Sequence, residues 1–166
     1  MRDTLTDFNA RSPADAEKAL LSCCASRAFA AKVAALRPYR DLVELSAAAE
    51  AAVRDLAWDD VLEALEAHPR IGERATGGGR AAAWSRQEQS GVDDDLREPL
   101  AEGNRVYEER FGHVYLVCAT GLSAEDMLER LRARLRNDAA TEREVVRDEL
   151  AGITRLRLGK LMKEGT

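Results

Sequence analysis

Apolar positions along the chain recur at intervals of three and four residues between short polar stretches, the spacing of a succession of amphipathic helices. Trp58, Val61, Leu62 and Leu65 fall at i, i+3, i+4 and i+7 and give one helix a buried face. That helix ends near His68, because Pro69 disfavours helical geometry in the residue before it and has no N–H to donate. Upstream, Ser12-Pro13 with Asp15 reads as an N-cap with proline at the first helical position, opening a helix through Ala19, Leu20 and Leu21 to the cysteines. A second helix runs from about Arg27 and stops before Pro38, and a third runs from about Asp41 to Leu56. Farther on, Leu96, Leu100, Tyr107 and Phe111 line one stripe of a helix that starts near Asp93 and is ended by Gly112. Ser123 with Asp126 has capping spacing and opens a helix to about Arg136. Asn137-Asp138 breaks it, and a last helix runs from about Ala139 to Met162.

Residues 69–83 read as a loop made pliable by Gly77-Gly78-Gly79, and without a following Lys-Ser/Thr this loop is no phosphate cradle. A short helical turn is expected over Ser85 to Ser90. The apolar run Val114 to Ala119 is too short for a helix and is expected as buried extended chain. The pattern thus predicts an all-α fold: one domain over residues 1–166, a bundle of about seven to nine helices with one short buried extended segment.

Composition agrees. The 166 residues are 45% hydrophobic with only four prolines, enough to close one core with helices and short turns. Asp and Glu total 30 against 25 for Lys and Arg, and a formal charge of -5 gives no general attraction to nucleic acid or anionic lipid. The run Arg130 to Arg136, broken by Leu and Ala and mixed with acidic residues, reads as a solvated helix face. Cys23, Cys24 and Cys118 match no metal or redox spacing and read as free thiols in a reducing compartment. The start of the chain lacks the apolar core of a signal peptide, no run of about 18 apolar residues is present, and the C-terminus carries no peroxisomal address. A cytoplasmic chain without membrane partners is expected.

Three stretches hold residues suited to chemistry. His68 follows a helix C-terminus, where a positive imidazole is favoured; the plain alternative is a histidine that caps its helix. Ser85 and Glu88 have the spacing of a capping box, and a helix begun at Ser85 would point free N–H groups at a carboxylate. Residues Val117, Cys118, Ala119, Thr120 and Gly121 pack in a core on the plain reading, yet extended backbone needs partners that an amide-rich ligand can supply. Cys118 is a conceivable nucleophile, but its apolar run offers no sequence cue for an activated thiol. No HExxH or other close His/carboxylate cluster points to a metal. In the last helix, at about 100° per residue, Arg157 falls on the arc of Val146, Leu150, Ile153 and Leu161, with Arg155 nearly opposite. A guanidinium there needs either an internal ion-pair partner or an anionic or carbonyl-rich ligand.

In order along the chain, His68-Pro-Arg-Ile-Gly72, Ser85-Arg-Gln-Glu88-Gln89, Asn104-x-x-Tyr107-x-x-x-Phe111-Gly112, Val117-Cys-Ala-Thr-Gly121, Arg134-Leu-Arg-Asn137 and Leu156-Arg157-Leu158 resemble the 2-oxo-4-hydroxy-4-carboxy-5-ureidoimidazoline (OHCU) decarboxylase family. The resemblance covers most of the chain from Trp58 to Leu161. It implies a homodimeric helical enzyme acting in the last step from urate to (S)-allantoin, with His68 and Glu88 as catalytic residues. It further implies that Pro69, Ser85, Arg86, Gln87, Glu88, Gln89, Val117 to Gly121 and Arg157 bind the substrate. The chain departs from the family pattern at Arg70-Ile71 and in the Gly77 to Arg80 loop. In OHCU the carboxylate sits on a carbon next to a ring C=N, so the substrate itself receives the electrons released with CO2 and no cofactor or metal is implied. The protein then has to orient the substrate and manage one proton. A non-catalytic helical interaction module, or a lyase or hydrolase for another ureido compound, is the alternative.

Overall fold

Nine α-helices and no strand make up residues 4–71, 80–88 and 96–164, the residues that the computed structural model describes. They are α1 (Thr4–Ala10), α2 (Pro13–Leu21), α3 (Arg27–Ala35), α4 (Leu42–Arg54), α5 (Trp58–Leu65), α6 (Arg80–Glu88), α7 (Arg97–Phe111), α8 (Ala124–Arg134) and α9 (Ala139–Glu164). No helix among them is long and apolar enough to cross a membrane.

The helix starts follow their caps. Ser12, Ser26 and Asp41 accept from the backbone N–H three residues on, at 3.1, 3.2 and 2.8 Å, which satisfies donors that the first turn leaves open. At α8, Ser123 and Asp126 form the reciprocal capping box that their spacing predicts. Gly112 ends α7 at φ 81°, a left-handed conformation that costs a residue with a side chain about 1–2 kcal/mol.

Two expectations need correcting. The helix expected from Ser85 begins at Arg80, so residues 80–83 are helical rather than loop. Arg80-Ala81-Ala82-Ala83 are strong helix formers and extend the helix one turn upstream, so Ser85 lies mid-helix and its N–H is no longer an end group. The capping-box and helix-end anion-site readings of Ser85 fall with it. The second correction is α1, which the apolar pattern does not announce. Seven residues are too few for a stable isolated helix, and tertiary bonds hold this one: Arg37 Nη1 donates to the carbonyls of Phe8 and Arg11, each at 2.8 Å, and Asn9 exchanges two 2.9 Å bonds with the Tyr39 backbone. The triple glycine, Gln89, Ser90 and the expected helix start near Asp93 lie outside the described residues.

The helices fall into two compact units, one formed by residues up to Ala64 with those from Leu150 onward, the other by Leu65–Glu149. In the first, α2 packs on α3 and α3 on α4, with Phe8, Leu20, Phe29, Val33, Leu45 and Leu150 essentially removed from solvent. In the second, α7 packs on α8, and the core is built from Leu100, Tyr107, Tyr115, Met127 and Leu131 together with Ile71, Val117 and Ala119.

Candidate active site

His68 sits three residues beyond the end of α5, and its backbone N–H closes the helix by donating to the Leu65 carbonyl at 3.0 Å. Helix end and Pro69 together fix where the imidazole leaves the chain. His68 and Pro69 are half-buried. Beyond them, Arg70 is pinned outward by Glu108, with Nε 3.0 and 3.1 Å from its two carboxylate oxygens. Ile71 turns into the core, and its carbonyl accepts from Asn104 Nδ2 of α7 at 2.8 Å. The departure at Arg70-Ile71 is therefore absorbed by a local ion pair and by packing.

On α6, Trp84 and Ser85 are buried while Arg86 and Gln87 are exposed. Arg80 lies over the Trp84 ring at 5.8 Å. Glu88, half-buried, is three residues from Ser85 and shares its helix face. The two polar residues expected to meet the substrate thus project from one face, although neither caps the helix. Gln89 lies outside the described residues.

The stretch Val114–Ala119 belongs to no helix or sheet, as expected, and Tyr115, Leu116, Val117 and Ala119 are buried. Because Ile71 and the pair Val117 and Ala119 enter one hydrophobic cluster, the fold brings the His68-Pro69 arm and the Val117–Gly121 segment to the same core. Cys118 is half-buried, Thr120 and Gly121 are exposed, and Gly121 has φ 81°, left-handed geometry that suits glycine. The Leu122 N–H returns to the Ala119 carbonyl at 3.0 Å and closes the turn.

The run Arg130–Arg136 is not uniformly solvated. Arg134 is only 6% exposed, with Nε and Nη2 at 2.8 and 2.5 Å from Glu142 Oε2, while its Nη1 donates to the Leu116 carbonyl at 2.5 Å. Tyr107 donates its hydroxyl to the same carboxylate, Asn137 Nδ2 donates to Glu142 Oε1 at 3.1 Å, and the guanidinium lies over the Tyr115 ring at 4.8 Å. Burial, reinforced by the bond to Glu142, pushes the Tyr107 hydroxyl far above its ordinary pKa, so it stays a donor. On α9, Glu149 Oε2 accepts from the Cys118 N–H at 2.9 Å. Reading the sequence missed Glu142 and Glu149. Their signal was present: Glu142, Val146, Glu149 and Ile153 follow helical spacing, so both acids lie on the apolar stripe of α9.

Arg157, in the first unit, is 4% exposed and donates Nη1 to the Ser22 carbonyl at 3.3 Å, whereas Arg155 is exposed, as the helical geometry predicts. Near Arg157, burial pushes the Cys24 thiol up to about 12, despite a lowering hydrogen bond with Thr154. Cys23, Cys24 and Cys118 are free thiols. Among the described residues no group of three or more His, Cys, Asp or Glu side chains is placed to hold a metal ion. An open cleft of about 670 Å³ between the start of α7 and α8, lined by Leu96, Pro99, Leu128, Arg132 and neighbours, contains none of the expected site residues.

A model of the OHCU decarboxylase family matches residues 9–159. The chain is 30% identical over 148 residues to the uric acid degradation bifunctional protein TTL of Arabidopsis thaliana, covering 86% of this chain and 46% of that protein. It is 34% identical over 104 residues to the 2-oxo-4-hydroxy-4-carboxy-5-ureidoimidazoline decarboxylase of Amia calva, covering 60% of this chain and 59% of the relative. The chain thus spans less than two thirds of the length of either relative. A crystal structure of OHCU decarboxylase in the presence of (S)-allantoin superposes with a TM-score of 0.74 at 29% identity, covering 86% of this chain and 96% of that one. With its family-model match running from the first helix into the last, the chain belongs to the OHCU decarboxylase family.

Proposed function

We propose that this chain decarboxylates OHCU to (S)-allantoin without a cofactor. The observation that carries the reading beyond family membership is the shared core of unit two, in which the arm behind His68-Pro69 and the Val117–Gly121 segment are packed into one cluster. The C–C bond to the carboxylate breaks, CO2 leaves, and its electron pair enters the adjoining C=N, whose nitrogen takes up a proton. The enol so formed then loses its hydroxyl proton to become the ring carbonyl while a proton is delivered to the ureido-bearing carbon, the stereocentre of (S)-allantoin. His68 is the proton-handling residue, because imidazole titrates near neutrality and its backbone is fixed by the helix end and Pro69. Glu88 orients that imidazole or shares a substrate proton. Pro69, Ser85, Arg86, Gln87, Gln89 and the backbone from Val117 to Gly121 hold the imidazoline and ureido groups. Arg157 is a further candidate for recognising an anionic or carbonyl group; its burial, with Arg155 outside, supports an inward role. The free thiols agree with a reducing cytoplasm, and the family resemblance supports a homodimer.

Freshly generated OHCU, added to the protein and followed against its spontaneous decay, with the chirality of the allantoin read by circular dichroism, tests the proposal. Acceleration with (S)-allantoin as product is expected. His68→Asn should keep its helical spectrum and lose roughly 10²- to 10⁴-fold in turnover. Near-normal turnover by a folded His68→Asn protein would overturn the assignment.

A further inference from the structure

The Leu116–Cys118 backbone is gripped by charged side chains brought from far along the chain. Arg134, 18 residues on, donates to the Leu116 carbonyl, and Glu149, 31 residues on, accepts from the Cys118 N–H. Arg134 cannot drift, since Glu142, Tyr107 and Asn137 form a closed network around its guanidinium. It is therefore a fixed anchor at residue 116. Glu149 supplies the second anchor two residues later, with an 18% exposed side chain that also lies 4.0 Å from Arg130.

Stability alone does not call for this arrangement. Cys118 is half-buried, and an N–H at such a depth is commonly satisfied by water. An acceptor oxygen carried on α9 fixes the direction of that N–H as well as satisfying it, because its place is set by the helix and not by exchangeable solvent. Residues that bind a substrate must be held to within about half an ångström by supporting contacts of this kind. We propose that Glu149 is a positioning residue: its carboxylate, working against the fixed Arg134 anchor, sets the Leu116–Cys118 backbone so that the adjoining Val117–Gly121 segment receives the substrate in register. This rests on the reading of that segment as substrate-binding given above.

Glu149→Ala removes the acceptor, while Glu149→Gln keeps an oxygen that can accept from Cys118. With OHCU as substrate, Glu149→Ala should raise KM by about 10- to 100-fold with a smaller fall in kcat, the scale expected of a misplacement near 1 Å. Glu149→Gln should recover most of that loss. Arg130→Gln, which removes the cation 4.0 Å from Glu149, should leave both constants within about twofold. A Glu149→Ala protein whose activity falls only in proportion to its folded fraction, with KM unchanged, would make Glu149 merely structural and overturn the proposal while leaving the decarboxylase reading intact. Equal KM defects in the Ala and Gln variants would also overturn it, since charge rather than acceptance from Cys118 would then matter. A wild-type protein without activity on OHCU would overturn the functional reading and this proposal with it.

Discussion

Glu142 offers a sharp test of how the second unit is held together. The residue is fully buried, and its carboxylate takes two bonds from Arg134, one from the Tyr107 hydroxyl and one from Asn137. Glu142→Gln changes almost nothing in shape. It removes the negative charge and turns one acceptor oxygen into a donor that must face Asn137 or the guanidinium. Leaving a buried charge without its counterion costs about 3–5 kcal/mol. Against a total stability of about 5–15 kcal/mol, that is a large share. Removing both charges with Arg134→Met and Glu142→Leu should cost less than either single change, because well-packed apolar replacements of a buried pair are often neutral or better. Some cost remains: the Leu116 carbonyl loses its donor and the Tyr107 hydroxyl its acceptor, at about 1–3 kcal/mol for each buried group left unpaired. Urea unfolding at neutral pH, followed by far-ultraviolet circular dichroism and extrapolated linearly, supplies the four free energies of the cycle. A Glu142→Gln protein within about 1 kcal/mol of the parent, or single effects that simply add up to the double, would refute the reasoning.

Two other pairs of substitutions test single positions. Arg157→Lys keeps a charge but loses the planar fork, so it should weaken OHCU turnover strongly while Arg155→Lys changes little; equal effects in steady-state assays would remove Arg157 from substrate recognition. Gly159 sits within α9, where an added Cβ would meet nothing inside 4 Å, so Gly159→Ala should stabilise by about 0.5–1 kcal/mol, whereas Gly112→Ala, at φ 81°, should destabilise by about 1–2 kcal/mol; thermal melts of the pair check both signs.

Local chemistry made much of this protein readable before any coordinates. Ser12-Pro13, Asp41, Ser123 with Asp126, and Gly112 act within one turn of themselves, so caps and stops came out close to where they fall in the structure. The inward turn of Arg157 was likewise fixed by helical period alone. Where a local signal had two meanings, sequence misled: Ser85 and Glu88 have capping spacing, but the alanines before them carry the helix upstream and make the same spacing a shared face. Tertiary structure alone decided the rest. Helix α1 exists because Arg37 and Tyr39 reach back to it. Arg134 is buried while Arg130, Arg132 and Arg136 are exposed, because Glu142 and the Leu116 carbonyl meet it there. Packing of Ile71 with Val117 and Ala119, and the grip of Glu149 on Cys118, join residues tens of positions apart, and no period within a single helix encodes which distant backbone group its inward side chains will find.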